Sequence, residues 1–307
     1  MSTPVKINLI INPIGMAFAS IVIISIAGLA IINRRLTNRM TVRLVAAIAL
    51  TDLLAHVGEY YAVTHGSLVV GTAHCTAVNG FRLFARTFYC WVNMAICLHI
   101  YRSLVLIKKT NWKSEVYIWT ATAVLVITET LIYYGIGAFT GQAKRNCNPG
   151  VDDYTKHLAF LLLQSLTNLL TIAVCIFTTV KSHGNLNKWI DAVSATITEQ
   201  GGDRDQLIRE RKKIAFRSFL YPLSTCITLP FEAFFLIANG SGKMVIELAI
   251  LMALTTGLSG ILTALAFAVD PITHNAFKSA YSQIKHRNIY KKEDNIFGFT
   301  NDDIQLK

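Results

Sequence analysis

Apolar residues run through this chain in long blocks, separated by short polar and mostly basic stretches. A hydrocarbon core about 30 Å thick takes roughly 20 apolar residues as helix. Seven blocks reach that length: Pro13–Ile32, Leu44–Val63, Ala77–Tyr101, Val116–Phe139, His157–Val180, Ile214–Ala238 and Val245–Val269. The first opens on Asn12-Pro13, which reads as a helix cap followed by a first-turn proline. It is too long for the core of a signal peptide and no small-residue cleavage site follows, so it reads as a retained span. The expected fold is an all-α membrane protein: a seven-transmembrane helix bundle with a short amphipathic eighth helix. Residues 1–12 form a short outer segment, 13–271 the bundle, and 272–307 an inner helix and tail.

The polar stretches orient the bundle. Of 29 Lys and Arg, 22 fall in Asn33–Arg43, Arg102–Glu115, Lys181–Arg217 and Ile272–Lys307, and the alternate segments hold five. The positive-inside rule places the first set in the cytoplasm. The amino end is then outside, the carboxyl end inside, and the plasma membrane is the expected location. The longest connection, Lys181–Lys213, carries a weak stripe of Trp189, Val193 and Ile197 that reads as a helix lying on the surface. After Pro271, Phe277, Tyr281 and Ile284 share one face with Lys278 and Lys285 beside it, the pattern of an interfacial helix.

Composition narrows the class. Hydrophobic residues make up 53% and charged residues 15%, against about 25% charged in a soluble domain. A soluble enzyme and a disordered chain are both disfavoured. The net charge of +11 does not indicate nucleic acid, because nucleic-acid binders seldom carry so much apolar sequence. It fits anionic membrane lipid at the inner face.

Ionisable groups inside a span are costly and need a partner or a cavity. Asp52 lies about 18 Å along its helix from Met40, near the midplane, at 1.5 Å per residue. It reads as a cation- or proton-linked switch, or as a carboxyl held by hydroxyls for packing. Arg82 and Arg86, four apart, share one face of the third span. Glu59, Glu129, Glu232 and Glu247 fall in the outer halves of their spans. Either these acids pair with the two arginines, or the arginines bind an anionic or strongly polar ligand, since a guanidinium bonds carboxylate or phosphate bidentately. The ligand set expected is Arg82, Arg86, Glu59, Glu232 and Glu247. His56 and His99 read as hydrogen-bonded packing residues. Pro222 and Pro230 interrupt the sixth span and can kink it. Cys75 and Cys147 both fall in outer segments, where an oxidising exterior allows them to pair. Cys90, Cys97, Cys175 and Cys226 read as small packing residues.

Several motifs resemble the G-protein-coupled receptors of rhodopsin-like architecture. Arg34-Arg35-Leu36-Thr37-Asn38 and the run Leu44 to Leu54 around Asp52 resemble the first inner loop and second helix. Trp119 falls where a fourth-helix tryptophan is found, and Asp270-Pro271 is similar to the family's Asn/Asp-Pro element before an eighth helix. Phe219-Leu220-Tyr221-Pro222-Leu223-Ser224 with Leu229-Pro230-Phe231 resembles helix six of fungal glucose-sensing and cAMP-receptor-like receptors. The resemblance implies an outer Cys75–Cys147 disulfide and switch roles for Asp52, Pro222, Pro230, Asp270 and Pro271. It implies a heterotrimeric G protein as partner, facing Arg102, Arg209, Arg211, Lys212 and Lys213, with no cofactor. The chain departs from the family at His99-Ile100-Tyr101-Arg102, where Asp-Arg-Tyr is usual, at His274, where a tyrosine falls, and at Gly28-Leu29 in place of Gly-Asn. Helix six also lacks a tryptophan before its proline.

The function expected is transduction of a small-molecule or short-peptide signal from outside, without catalysis. About 12 residues before the first span leave little room for a ligand-capturing ectodomain. A retinal protein would need a Schiff-base lysine in Val245–Val269, which has none. A zinc hydrolase would have to use Asp52, His56, His99, Asp270 and His274. A small-solute transporter is the other alternative, weakened by the absence of an internal repeat.

Overall fold

The structure, a computed structural model, describes residues 3–66, 68–106, 111–143, 147–199, 204–242, 245–270 and 273–285; side chains of 36 and 186–218 lie outside that description. The described helices are α1 (Thr3–Ile32), α2 (Arg34–Thr37), α3 (Met40–Thr64), α4 (Ala73–Leu104), α5 (Trp112–Ile136), α6 (Tyr154–Glu199), α7 (Arg204–Gly240), α8 (Ile246–Gly257), α9 (Ser259–Val269) and α10 (residues 273–285). Seven spans are long and apolar enough to cross a membrane, the last being α8 and α9 together. The protein is an all-α, multi-pass membrane protein.

Its polarity is inverted relative to a soluble fold. Asp52, Asn79, Asn93, Asn168, Thr171 and Thr225 are buried. Ile21, Ile24 and Ile31 of α1, Ile127 and Leu131 of α5, and Leu162 and Leu166 of α6 point outward and are exposed. Hydrocarbon solvates those aliphatic faces without penalty, while polar groups must find partners within the bundle. The third span, α4, is the axis: 72% of its apolar window is buried, against 22% for α1. It packs on α3, α5, α6 and α7, while α1 closes the ring against α3, α8 and α9.

Local signals set the helix ends. Thr72 and Asn111 accept from the backbone N–H groups of Cys75 and Ser114, and Asp153 Oδ1 accepts from Lys156 N. These caps satisfy N–H groups a helix start leaves free. Gly137 ends α5 with φ of 88°, a left-handed turn that a Cβ would oppose. From there the segment to Asp153 crosses the mouth of the bundle and is tied to α4 by the Cys75–Cys147 disulfide.

Three expectations are corrected. Helix α1 begins at Thr3, so Asn12-Pro13 is no cap: Pro13 is inside the helix, and Asn12 Nδ2 bonds the Asn8 carbonyl. The connection after the fifth span is no separate surface helix. Helix α6 continues unbroken to Glu199, and α7 starts at Arg204; the side chains of Trp189, Val193 and Ile197 fall outside the described residues. The last span is two helices meeting at Leu258. The eighth-helix segment, α10, keeps the expected face, with Phe277, Tyr281 and Ile284 exposed together, while Ala276 and Ala280 on the other side pack on Leu29.

Candidate functional site

A cavity of about 320 Å³ opens at the end of the bundle that carries the disulfide, between α3, α4, α6, α7 and α8. Glu59, Arg82, Arg86 and Glu232 line it, with Gln164 and Asn148. The expected pairing of acids and arginines exists, but the two pairs differ. Arg82 holds its acid with two bonds: Nε and Nη2 donate to the two Glu59 oxygens at 3.1 and 2.7 Å, and Nη1 donates to Asn148 Oδ1 at 3.4 Å. Arg86 makes one ion-pair contact, Nε to Glu232 Oε1 at 3.2 Å. No described residue hydrogen-bonds its terminal nitrogens. Glu232 Oε1 also accepts from Gln164 Nε2 at 3.2 Å, while Oε2 is buried without a hydrogen bond. Asn168, one turn along α6, lies near Glu232, but its Nδ2 is likewise unpaired.

Two acids leave the expected ligand set or pairing. Glu247 is exposed in the first turn of α8 and does not line the cavity. Glu129 pairs with no arginine. It accepts from Trp91 Nε1 at 2.7 Å, Tyr133 OH at 2.6 Å and Thr167 Oγ1 at 2.9 Å, joining α4, α5 and α6. A carboxylate with three donors is a satisfied structural node. The remaining cavity wall is apolar, chiefly Leu83, Phe160, Phe235, Leu236 and Met252.

Beneath the cavity, α4 and α7 run antiparallel and share a ladder of polar contacts. The Arg86–Glu232 pair is the top rung. Tyr89 OH meets Thr228 Oγ1 at 3.1 Å, and Thr225 Oγ1 donates to Asn93 Oδ1 at 2.7 Å. Pro222 and Pro230 of α7 bracket the two lower rungs. The available signal for Tyr89, Asn93, Thr225 and Thr228 was their spacing of three to four residues on each helix.

Asp52 and His56 form a second polar cluster between α1, α3 and the α8/α9 break. Thr263 Oγ1 donates to Asp52 Oδ2 at 2.7 Å, and Oδ1 has no hydrogen bond. His56 Nε2 accepts from Gly260 N at 3.3 Å. That fixes Nδ1 as the protonated nitrogen, so Nδ1 donates to Asn12 Oδ1 at 2.8 Å. His99 is bonded to Thr41 at 3.2 Å, and His274 is exposed beside α9. Among the described residues no three His, Cys, Asp or Glu side chains converge as a metal site requires, so the set Asp52, His56, His99, Asp270 and His274 does not assemble.

At the opposite, basic end a broader cleft of about 520 Å³ lies between the starts of α3 and α5. Its Arg43 is committed to Glu115 at 2.5 Å and Asn38 at 2.9 Å. Arg102 stands half-buried in the last turn of α4. Arg209, Arg211, Lys212 and Lys213 lie on the first turns of α7, their side chains outside the described residues, as is Pro271. Asp270 is buried after α9. The chain matches no protein-family model and no curated protein sequence.

Proposed function

We propose that the protein is a G-protein-coupled receptor for a small extracellular ligand, and not an enzyme. What carries this is the ladder that runs from a charged, ligand-sized cavity two turns down one helix pair, toward the basic end. The positive-inside count supports a cavity that faces the medium and a basic end that faces the cytoplasm. A ligand engaging Glu232 or Arg86 acts on the top rung. Outward movement of α7 then breaks the lower rungs and opens a cleft in which Arg102 and the Arg209–Lys213 cluster meet a heterotrimeric G protein. Each neutral rung is worth about 1 kcal/mol net. Driving such a pair of states from 1:99 to 99:1 takes about 5.5 kcal/mol of differential ligand affinity, so a ladder this weak is within reach of a small ligand.

The test is nucleotide exchange on a Gα subunit co-reconstituted with the protein in nanodiscs. Thr225→Val removes the lowest rung and is expected to raise ligand-free exchange while the bundle stays folded. Unchanged exchange in Thr225→Val and in a Tyr89→Phe variant, with no response to any of a broad ligand library, refutes the proposal. Transport is the second reading, favoured by one observation: the last span is broken at Leu258, as half-helices in transporters often are. Counterflow uptake into proteoliposomes would establish it.

A further inference from the structure

The chemistry of the unsatisfied groups restricts what the cavity takes. Its two arginines and two glutamates balance to zero charge. A simple anion docking on Arg86 would leave the buried Glu232 facing added negative charge, and a simple cation on Glu232 would face Arg86. Burying an unbalanced charge in a low-dielectric site is costly. In the Arg82–Glu59 pair both carboxylate oxygens already accept from the arginine. The Arg86–Glu232 pair has capacity left on both members: two terminal nitrogens that no described residue hydrogen-bonds on one side, one buried carboxylate oxygen without a hydrogen bond on the other. A ligand that completes both must bring an acceptor pair and a donor within a few ångströms of each other.

We propose that the cavity binds a small zwitterion of the α-amino-acid type, its carboxylate on the Arg86 fork, its ammonium on Glu232, and its apolar substituent against Phe160, Phe235 and Met252. This rests on the cavity being the ligand site named above. The planar guanidinium matches a carboxylate through two parallel bonds. The ammonium supplies the donor that Glu232 Oε2 lacks, so no ion pair of the empty site has to be broken. A hollow of about 320 Å³ is at the small end of the roughly 300–1,000 Å³ range of ligand pockets, suited to one amino acid rather than a folded peptide. The wall beside Arg86 and Glu232 is apolar, so the substituent that fits is aliphatic or aromatic.

The full chain in nanodiscs is titrated with the twenty standard L-amino acids, with 3-phenylpropionate (carboxylate only) and with phenethylamine (ammonium only), following thermal unfolding and calorimetric binding. At least one apolar or aromatic amino acid is expected to bind saturably, at least about tenfold more tightly than either single-charge analogue. Arg86→Gln and Glu232→Gln should each weaken it at least about tenfold, and Glu247→Gln should not. If neither cavity variant folds, the wild-type comparison of the three phenylalkyl probes decides by itself. Absence of binding by all twenty amino acids, or 3-phenylpropionate binding as tightly as L-phenylalanine, overturns the assignment. Amino-acid binding without Gα exchange keeps this site and sinks the receptor reading. Exchange driven by a ligand lacking one of the two charges does the reverse.

Discussion

Gly15 and Gly28 lie on the same helix, yet alanine at the two positions should act in opposite directions. A Cβ on Gly15 would press into the imidazole of His56, and Gly260 of α9 lies close to both the Gly15 carbonyl and that ring. A Cβ on Gly28 meets nothing within 4 Å. At Gly15, relief requires α1 or the ring to move. Overpacking of that kind costs about 1–3 kcal/mol. The displaced ring also loses its bonds to Asn12 and Gly260, each worth about 1 kcal/mol. Less the up to about 1 kcal/mol that alanine gains over glycine inside a helix, Gly15→Ala should therefore destabilise by about 2–4 kcal/mol. Gly28→Ala should stabilise by up to about 1 kcal/mol, the ordinary helix-interior difference between the two residues. Cys90, Cys97 and Cys175 are free and buried, so a thiol-reactive dye reports unfolding in a background where the partly exposed Cys226 is replaced by serine. A His56→Ala change vacates the space that the new methyl needs, and the double variant should be less destabilised than the two singles added together. If Gly15→Ala unfolds at the temperature of Gly28→Ala, the close approach of α1 and α9 around His56 is not as described.

Three further outcomes are expected. Thr263→Val takes away the Thr263 Oγ1 hydrogen bond to the Asp52 carboxylate; it should cost about 1–3 kcal/mol in the wild type and much less in an Asp52→Ala background, measured by the same dye. Arg82→Gln and Glu59→Gln should each destabilise by about 1–3 kcal/mol, below the 3–5 kcal/mol of a fully buried pair because the side chains are 11% and 21% exposed; the double variant should recover part of the loss, and strict additivity would show that the pair does not couple. Reduction of Cys75–Cys147, which closes 72 residues of sequence, should lower the unfolding midpoint and free the segment after Gly137. A chain-entropy estimate of about 4 kcal/mol is an upper bound, since the helices between the cysteines stay inserted in lipid. An unchanged midpoint in dithiothreitol, with both thiols shown free by mass spectrometry, would count against that tether.

What was legible in the sequence, and what was not, divides by the range of the interaction. The spans were legible because lipid acts on each segment alone: twenty apolar residues in a row specify a helix without reference to any neighbour. The disulfide partners were legible because Cys75 and Cys147 were the two cysteines outside the apolar blocks. The start of α1 was not, because Lys6, Asn8 and Asn12 look like a polar leader until Asn12 is seen to serve His56, 44 residues away. The break at Leu258 has no proline to announce it. It coincides with Gly260 turning its N–H to His56 of α3, a contact that no local pattern records. Four glutamates in similar spans looked equivalent, and only their partners sort them: three donors for Glu129, a bidentate arginine for Glu59, an incomplete set for Glu232, and exposure for Glu247.

The ladder between α4 and α7 also explains why the sixth span tolerates two prolines. Each proline withholds one backbone N–H, so the carbonyls of Ser218 and Cys226 lose their usual partners. In lipid that loss is acceptable only where other groups compensate. Thr225 and Thr228, set between the prolines, bond Asn93 and Tyr89 of α4, and Ser224 and Thr225 hydroxyls also bond the Tyr221 carbonyl. The stretch 222–230 is thus fastened laterally to α4 as well as by its own helix ladder. Releasing a rung therefore strands the partner on α4 rather than the threonine: the Thr225 and Thr228 hydroxyls already bond carbonyls of their own helix, while Asn93 Oδ1 or Tyr89 OH is left buried without its partner at about 1–3 kcal/mol.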